Sequence, residues 1–254
     1  MRYHSTTGLD DDLTEELVSR IAQVTPPRKG RRPIMGLYRS VQLTLTLLRT
    51  NITQALAAEL FDVSQPTVSR TVRRIVPLIG QVTCLHTPPL PEALHGRLVL
   101  VDGTFIPTGR RAGMKKQNFS GKHRRQGVSV QVLSDTDGCL LAVSPPCPGR
   151  INDYTALRQP GWETLLEDTA VLGDPAYRGS KVIMPARRAH GGGEHSPTDE
   201  QANREHSAIR AAVEHAIAHL KQWKILATGY RGRLTELPAI LRIITTLEYF
   251  RLGW

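Results

Sequence analysis

Three carboxylates in this chain occupy positions where a carboxylate is costly. Asp102 interrupts the apolar run LVLVDGT, Asp174 does the same in VLGDPAY, and Glu214 lies between Val213 and Ile217 on the apolar side of a long predicted helix. A lone carboxylate in such surroundings needs a cationic partner or a metal. Two strand-borne aspartates and a helix-borne glutamate offer the hard oxygen ligands that hold a pair of divalent ions beside a phosphodiester. Arg210, four residues before Glu214, and Lys221, seven after, share its helical face. Each carboxylate also has a structural use open to it: capping a turn with Gly103 for Asp102, starting the turn at Pro175 for Asp174, and pairing with Arg210 for Glu214.

The elements that must position these groups follow from hydrophobic period and turn chemistry. LVLVDGTFIPT (98–108), GVSVQVLSDT (127–136) and CLLAVSPPC (139–147) read as successive strands, the last two joined at an Asp137–Gly138 hairpin turn. A helix from Asp153 to about Glu167 follows, then a buried strand, TAVLGD (169–174), and a possible short one, KVIMP (181–185). Helices are predicted from Glu205 to Trp223 and from Leu237 to Leu252, with a mobile loop of Gly-rich composition over 187–203. The expectation is an α/β domain over 98–254, a mixed sheet flanked by helices, with one aspartate in its first strand and another ending its fourth. Asp153 reads first as the cap of its helix and second as a support for the site.

Cations crowd the segment after the first strand. Between Gly109 and Gln126 stand Arg110, Arg111, Lys115, Lys116, Lys122, Arg124 and Arg125, with no acidic residue among them. The segment is either a phosphate-neutralising arm beside Asp102 or a solvated hairpin.

The first 80 residues have a helical period throughout. Leu13, Leu17, Ile21 and Val24 form one stripe, and Ile34, Leu37, Val41, Leu45 and Leu48 form a second after a basic stretch at 28–32. The run NITQALAAELFDVSQPTVSRTVRRIVPLI then reads as a helix over 53–60, a tight turn at 61–63 and a helix capped by Ser64, with Pro66 in its first turn. Val68, Val72, Ile75 and Ile79 face inward, leaving Gln65, Thr67, Arg70, Arg73 and Arg74 outward, as a recognition helix requires. Pro88, Pro89 and Pro91 place a linker at 81–97.

Together these stretches resemble the DDE transposases of bacterial insertion sequences, on the branch related to PIF/Harbinger elements. The resemblance rests on VDGT at Asp102, NFSGKHRRQG (118–127), SPPCPGRINDYTAL (144–157), LGDPAYRG at Asp174 and the R-x3-E-x6-K pattern of Arg210, Glu214 and Lys221. It implies an RNase H-like catalytic domain behind a helix-turn-helix, with Asp102, Asp174 and Glu214 as catalytic and metal-binding triad. It also implies two Mg2+ ions, for which Mn2+ can substitute, and supporting roles for Asp153, Tyr177, Arg210 and Lys221. The DNA partners implied are terminal inverted repeats and target, gripped by at least a dimer. Ser207 departs from the wider family, which often carries Tyr there. A domesticated DNA-binding regulator and a nuclease that cuts without joining are the rival readings.

Bulk properties agree with a DNA partner. Lys and Arg number 33 against 23 Asp and Glu, a net charge of +10, which suits a polyanion. Three cysteines without C-x-x-C spacing suggest neither a disulfide framework nor a cysteine zinc site. No apolar run is long enough for a membrane span or a signal peptide, so a cytoplasmic, nucleoid-associated protein is expected.

Overall fold

The computed structural model describes residues 4–26, 33–84, 89–109, 117–159, 161–186 and 196–253. The chain divides into two compact units, Met1–Thr87 with Leu220–Trp254, and Pro88–His219. This differs from the sequence reading, which closed the helical domain at 80 and assigned everything from 98 onward to the catalytic domain. The reason lies in α10 (Leu237–Leu252), where Ile243, Ile244, Leu247, Tyr249 and Phe250 are all buried. A helix apolar on nearly every side must be enclosed, and α10 packs on a helix of the N-terminal unit.

That unit is built from α1 (Asp11–Val24), α2 (Leu37–Thr50), α3 (Gln54–Leu60), α4 (Gln65–Thr83), α9 (Lys224–Ala227) and α10. Asp10 caps α1 by accepting from the Leu13 N–H at 2.8 Å, and Thr53 caps α3 through the Leu56 N–H at 3.1 Å. Ile34 falls outside α2 and is 78% exposed, so the predicted second stripe begins at Leu37. Met35, Leu43, Leu47, Ala57, Ala58 and Val68 form the core of the helix-turn-helix, and the turn is made by Asp62 at φ 51°. Ser64 precedes α4, but its hydroxyl meets the Thr67 hydroxyl at 2.9 Å and no backbone N–H, so the predicted side-chain cap is corrected. Where α4 meets α10, a Cβ on Gly80 would lie 2.9 Å from Ile243 Cγ1, and the buried Thr83 and Thr246 hydroxyls bond at 2.7 Å. Trp223 is fully buried and donates to Glu248, which is paired with Arg251.

The second unit carries the sheet. Its strands are β1 (Val99–Pro107), β2 (Phe119–Ser120), β3 (Arg125–Ser134), β4 (Leu140–Val143), β5 (Cys147–Pro148) and β6 (Val171–Leu172). β3 pairs antiparallel with β1 on one side and with β2, β4 and β5 on the other, while β6 lies parallel to β1. This mixed sheet flanked by helices is the expected α/β class. The predicted third strand is split into β4 and β5, because Pro145 and Pro146 have no N–H for the ladder. The turn before it holds as expected, with Gly138 at φ 80° and Asp135 accepting from the Asp137 and Cys139 N–H groups. The stretch 181–185 forms only an isolated bridge, Ile183 to Leu172.

Three helix expectations also change. The linker contains α5 (Leu90–Leu94), which tolerates Pro91 in its first turn and buries Ala93 and Leu94 against β4. The helix expected over 153–167 is two pieces, α6 (Asp153–Arg158) and α7 (Trp162–Leu165), interrupted where the sequence reads Gln-Pro-Gly, with Gly161 at φ 76°. The long helix α8 (Pro197–Gln222) starts well before Glu205. Of the loop expected over 187–203, residues 187–195 lie outside the described residues, and 197–203 are helical.

Candidate active site

The parallel pairing of β1 and β6 sets Leu100 opposite Leu172. Asp102 and Asp174 each stand two residues further on, so both aspartates emerge from neighbouring strands at the same end. Asp102 is 24% exposed, its Oδ1 accepts from the Gly103 N–H at 2.7 Å, and its Oδ2 lies 3.5 Å from Arg210 Nη2 on α8. Burial pushes the Asp102 carboxyl above the usual carboxylate range. The Gly103 N–H and Arg210 pull it down, and the charges of Asp174 and Asp153 push it up. Asp174 accepts from the Ala176 N–H at 2.9 Å and so caps the one-turn helix Pro175–Tyr177. The structural use foreseen for Asp174 is therefore realised, while Asp102 and Gly103 lie within β1 and make no turn.

Asp153 does not cap its helix. Asn152 does, accepting from the Thr155 N–H at 2.8 Å. Asp153 is instead the first helical residue, and its carboxylate occupies the space that a Cβ on Gly103 would need. Gln131, fully buried on β3 and paired in register with Gly103, donates from Nε2 to Asp153 Oδ1 at 3.3 Å. Tyr177, also fully buried, donates its hydroxyl to Gln131 Oε1. Burial and then the charges of Asp153, Asp102 and Asp174 push the Tyr177 phenol well above its ordinary value, so it stays a donor. Sequence reasoning passed over Gln131. The available signal was a lone amide inside the apolar alternation GVSVQVL, where an unpartnered polar group is costly.

Glu214 is placed differently from the sequence reading. The buried stripe of α8 in this region is Val213, Ala216 and Leu220, and Glu214 stands exposed beside it, one turn beyond Arg210. Arg210, Asp174 and Asp153 are the charges that act on the Asp102 carboxyl, and Glu214 is not among them. Lys221 is half-buried in the last turn of α8. Among the residues expected to meet DNA, Gln65, Arg70 and Arg73 are exposed on α4 and Thr67 is half-buried. Arg74 is half-buried and donates to Ser40 Oγ on α2 at 3.2 Å, which corrects its assignment to the outward face. Lys122, Arg124 and Arg125 are exposed at the β2–β3 hairpin, where Arg125 lies over the Phe105 ring and His123 stacks on it. Arg110, Arg111, Lys115 and Lys116 lie outside the described residues.

The donor set suits a hard divalent cation. Three carboxylates face one guanidinium, which leaves negative charge uncompensated, and all the available ligand atoms are oxygens. Among the described residues, no three His, Cys, Asp or Glu side chains converge on one point. Asp102 and Asp174 thus offer oxygen donors of the kind a divalent cation takes.

Aspartates paired on the strands of a mixed sheet, in a chain that also carries a helix-turn-helix, are the parts of an enzyme acting on DNA phosphodiesters. The DDE superfamily endonuclease family matches residues 101–248, and the helix-turn-helix of DDE superfamily endonuclease matches 40–84. The chain is 30% identical over 200 residues to a protein of Streptomyces albus G named as the transposase for insertion sequence element IS112, covering 78% of this chain and 74% of that relative. It is 26% identical over 215 residues to one of Microchaete diplosiphon named as the transposase for insertion sequence element IS702, covering 81% and 77%. No solved structure matches. This chain belongs to the DDE superfamily endonucleases, a family that acts on DNA and depends on divalent metal.

Proposed function

We propose that this chain is a transposase that binds the ends of its element, cuts them and joins the freed ends to target DNA. The observation that carries the reading is the adjacency of Asp102 and Asp174 on parallel strands, with Arg210 set against Asp102. Asp102, Asp174 and Glu214 would hold two Mg2+ ions, replaceable by Mn2+, which when bound activate the attacking water and stabilise the leaving oxygen. In cleavage, the water oxygen bonds to phosphorus, the P–O3′ bond breaks and a 3′-hydroxyl is left. In joining, that hydroxyl attacks a target phosphorus and expels a second 3′-hydroxyl.

The chain's own groups bind and orient the DNA. Arg210, whose guanidinium lies beside Asp102, supplies the cation for a phosphate oxygen. Glu214 stands roughly 6 Å along α8 from Arg210, at about 1.5 Å rise per residue, on the helix that reaches Asp102. Lys221 at the end of the same helix supports phosphate. Gln65, Thr67, Arg70 and Arg73 read the terminal inverted repeats, while Lys122, Arg124 and Arg125 neutralise backbone. Two ends held together require at least a homodimer on DNA. Among the described residues no helix is long and apolar enough to cross a membrane, and we place the protein in the cytoplasm with the nucleoid. VDGT at Asp102, NFSGKHRRQG, SPPCPGRINDYTAL, LGDPAYRG at Asp174 and the Arg210–Glu214–Lys221 pattern together support placing the chain on the branch related to PIF/Harbinger elements.

The test uses duplexes carrying the inverted repeats that flank the gene, incubated with the full chain and Mg2+, with products separated by length. Cleavage with joined products supports transposition. Cleavage without joining makes the protein a nuclease only, and binding without cleavage makes it a regulator.

A further inference from the structure

We propose that Gln131 is a positioning residue for the acidic site, holding the turn that carries Asp174 and the carboxylate of Asp153 in fixed relation to Asp102. The inference rests on the reading of Asp102 and Asp174 as metal ligands and goes beyond it, since Gln131 touches neither.

The geometry is that of a relay. Gln131 sits at the middle of β3 in register with Gly103, the neighbour of Asp102. It is completely buried, and its backbone N–H is also spent, on Ser144 Oγ at 2.8 Å. Its side chain reaches two elements: α6, through Asp153, and the turn after β6, through Tyr177. A carboxylate can only accept, so Gln131 must turn Nε2 toward Asp153, and this leaves Oε1 to accept from the phenol. Leu or Met cannot serve either partner, and Glu cannot donate to Asp153 when ionised. Gly103 completes the arrangement, because a Cβ there would collide with Asp153 Oδ1 and approach Gln131 Nε2 to 3.2 Å. Buried groups that orient metal-holding carboxylates act through ligand placement, and their loss commonly weakens metal affinity by about 10- to 100-fold.

The experiment titrates Mn2+ alone into the metal-free full chain by calorimetry, for the parent and for Gln131→Met, Tyr177→Phe, Asp153→Ala, Asp102→Asn and Gln131→Met combined with Asp153→Ala. Expected is a Mn2+ affinity lowered by about 10- to 100-fold in Gln131→Met. A smaller loss is expected in Tyr177→Phe, which breaks one arm and keeps the other. In the Asp153→Ala background, Gln131→Met causes a smaller further loss than it does alone, because only the Tyr177 arm remains to be broken. A structural role alone would lower the thermal midpoint and leave Mn2+ affinity unmoved. Parental affinity in Gln131→Met, or a loss that adds in full to that of Asp153→Ala, overturns the proposal. Should Gln131→Met not fold, Tyr177→Phe decides, and parental affinity there overturns it. If Asp102→Asn binds Mn2+ like the parent, the reading of Asp102 as a ligand fails and this proposal with it. If Asp102→Asn loses Mn2+ while Gln131→Met keeps it, only the positioning role fails.

Discussion

Arg210 on α8 reaches Asp102 on β1, with Nη2 3.5 Å from Oδ2. The contact ties the helix that bears Glu214 to the strand that bears the first aspartate, and it sets a cation where phosphate would enter. Arg210→Gln is therefore expected to lower the single-turnover rate of end cleavage by roughly 100-fold, the order seen when a charge-stabilising donor is removed. Affinity for the end should change little, because the helix-turn-helix belongs to the other compact unit. A variant that loses binding and rate in equal measure would show Arg210 to be a DNA anchor.

Asp102→Ala, Asp174→Ala and Glu214→Ala are each expected to abolish Mg2+-dependent cleavage and leave end binding nearly intact by gel shift. Glu214 is the most exposed of the three to challenge, since it stands outside the group around Asp102. Cleavage retained by Glu214→Ala would pass the third ligand's place to Asp153, whose charge already bears on Asp102.

Burial pushes the folded Asp102 carboxyl above its unfolded value, so folding disfavours its ionised form. The cost is absent below the unfolded pKa and fully present above the folded one. Metal-free protein should thus lose stability as pH rises through and above the ordinary carboxylate range. Asp102→Asn should raise the denaturation midpoint in EDTA at neutral pH, with a gain that shrinks as pH is lowered toward 4. A gain that does not vary with pH would mean that charge burial is not its origin.

Arg70 and Arg74 are expected to part company. Arg70→Ala should weaken binding to the cognate end by about 1–3 kcal/mol and to random duplex by less, if it reads a base edge. Arg74, held against Ser40, should cost chiefly stability. Fluorescence anisotropy on both duplexes, with a thermal melt of each variant, separates the two effects. Equal losses on both duplexes would reduce Arg70 to a phosphate contact.

Lys122 and Arg124 stand exposed at the β2–β3 hairpin. Changing both to Gln should lower affinity for all DNA alike and flatten the dependence of log affinity on log salt by roughly one to two units. An unchanged slope across a salt series would leave the hairpin merely solvated.

Local order was legible in the residues. The apolar runs LVLVDGT and TAVLGD marked where β1 and β6 lie, with an aspartate in or just after each, and the helical periods marked α1 and α10 within a residue or two and the start, though not the end, of α4. One local signal was passed over: Ser196-Pro197-Thr198-Asp199 is a helix start, with the Asp199 N–H on Ser196 Oγ at 3.1 Å, and it opens α8 before Glu205. What the residues could not decide was which groups meet. Asp102 and Asp174 become neighbours because β1 and β6 pair in parallel, and strand pairing depends on the whole sheet. Asp153 faces the site because Asn152 takes the capping role, a choice between adjacent residues with equal propensity. Gln131 acquires its role only when α6 and the Tyr177 turn close over β3, and α10 joins the N-terminal helices because that is where its apolar surface leaves water. Propensity and period act over a few residues, whereas burial and pairing are settled between segments far apart in the chain.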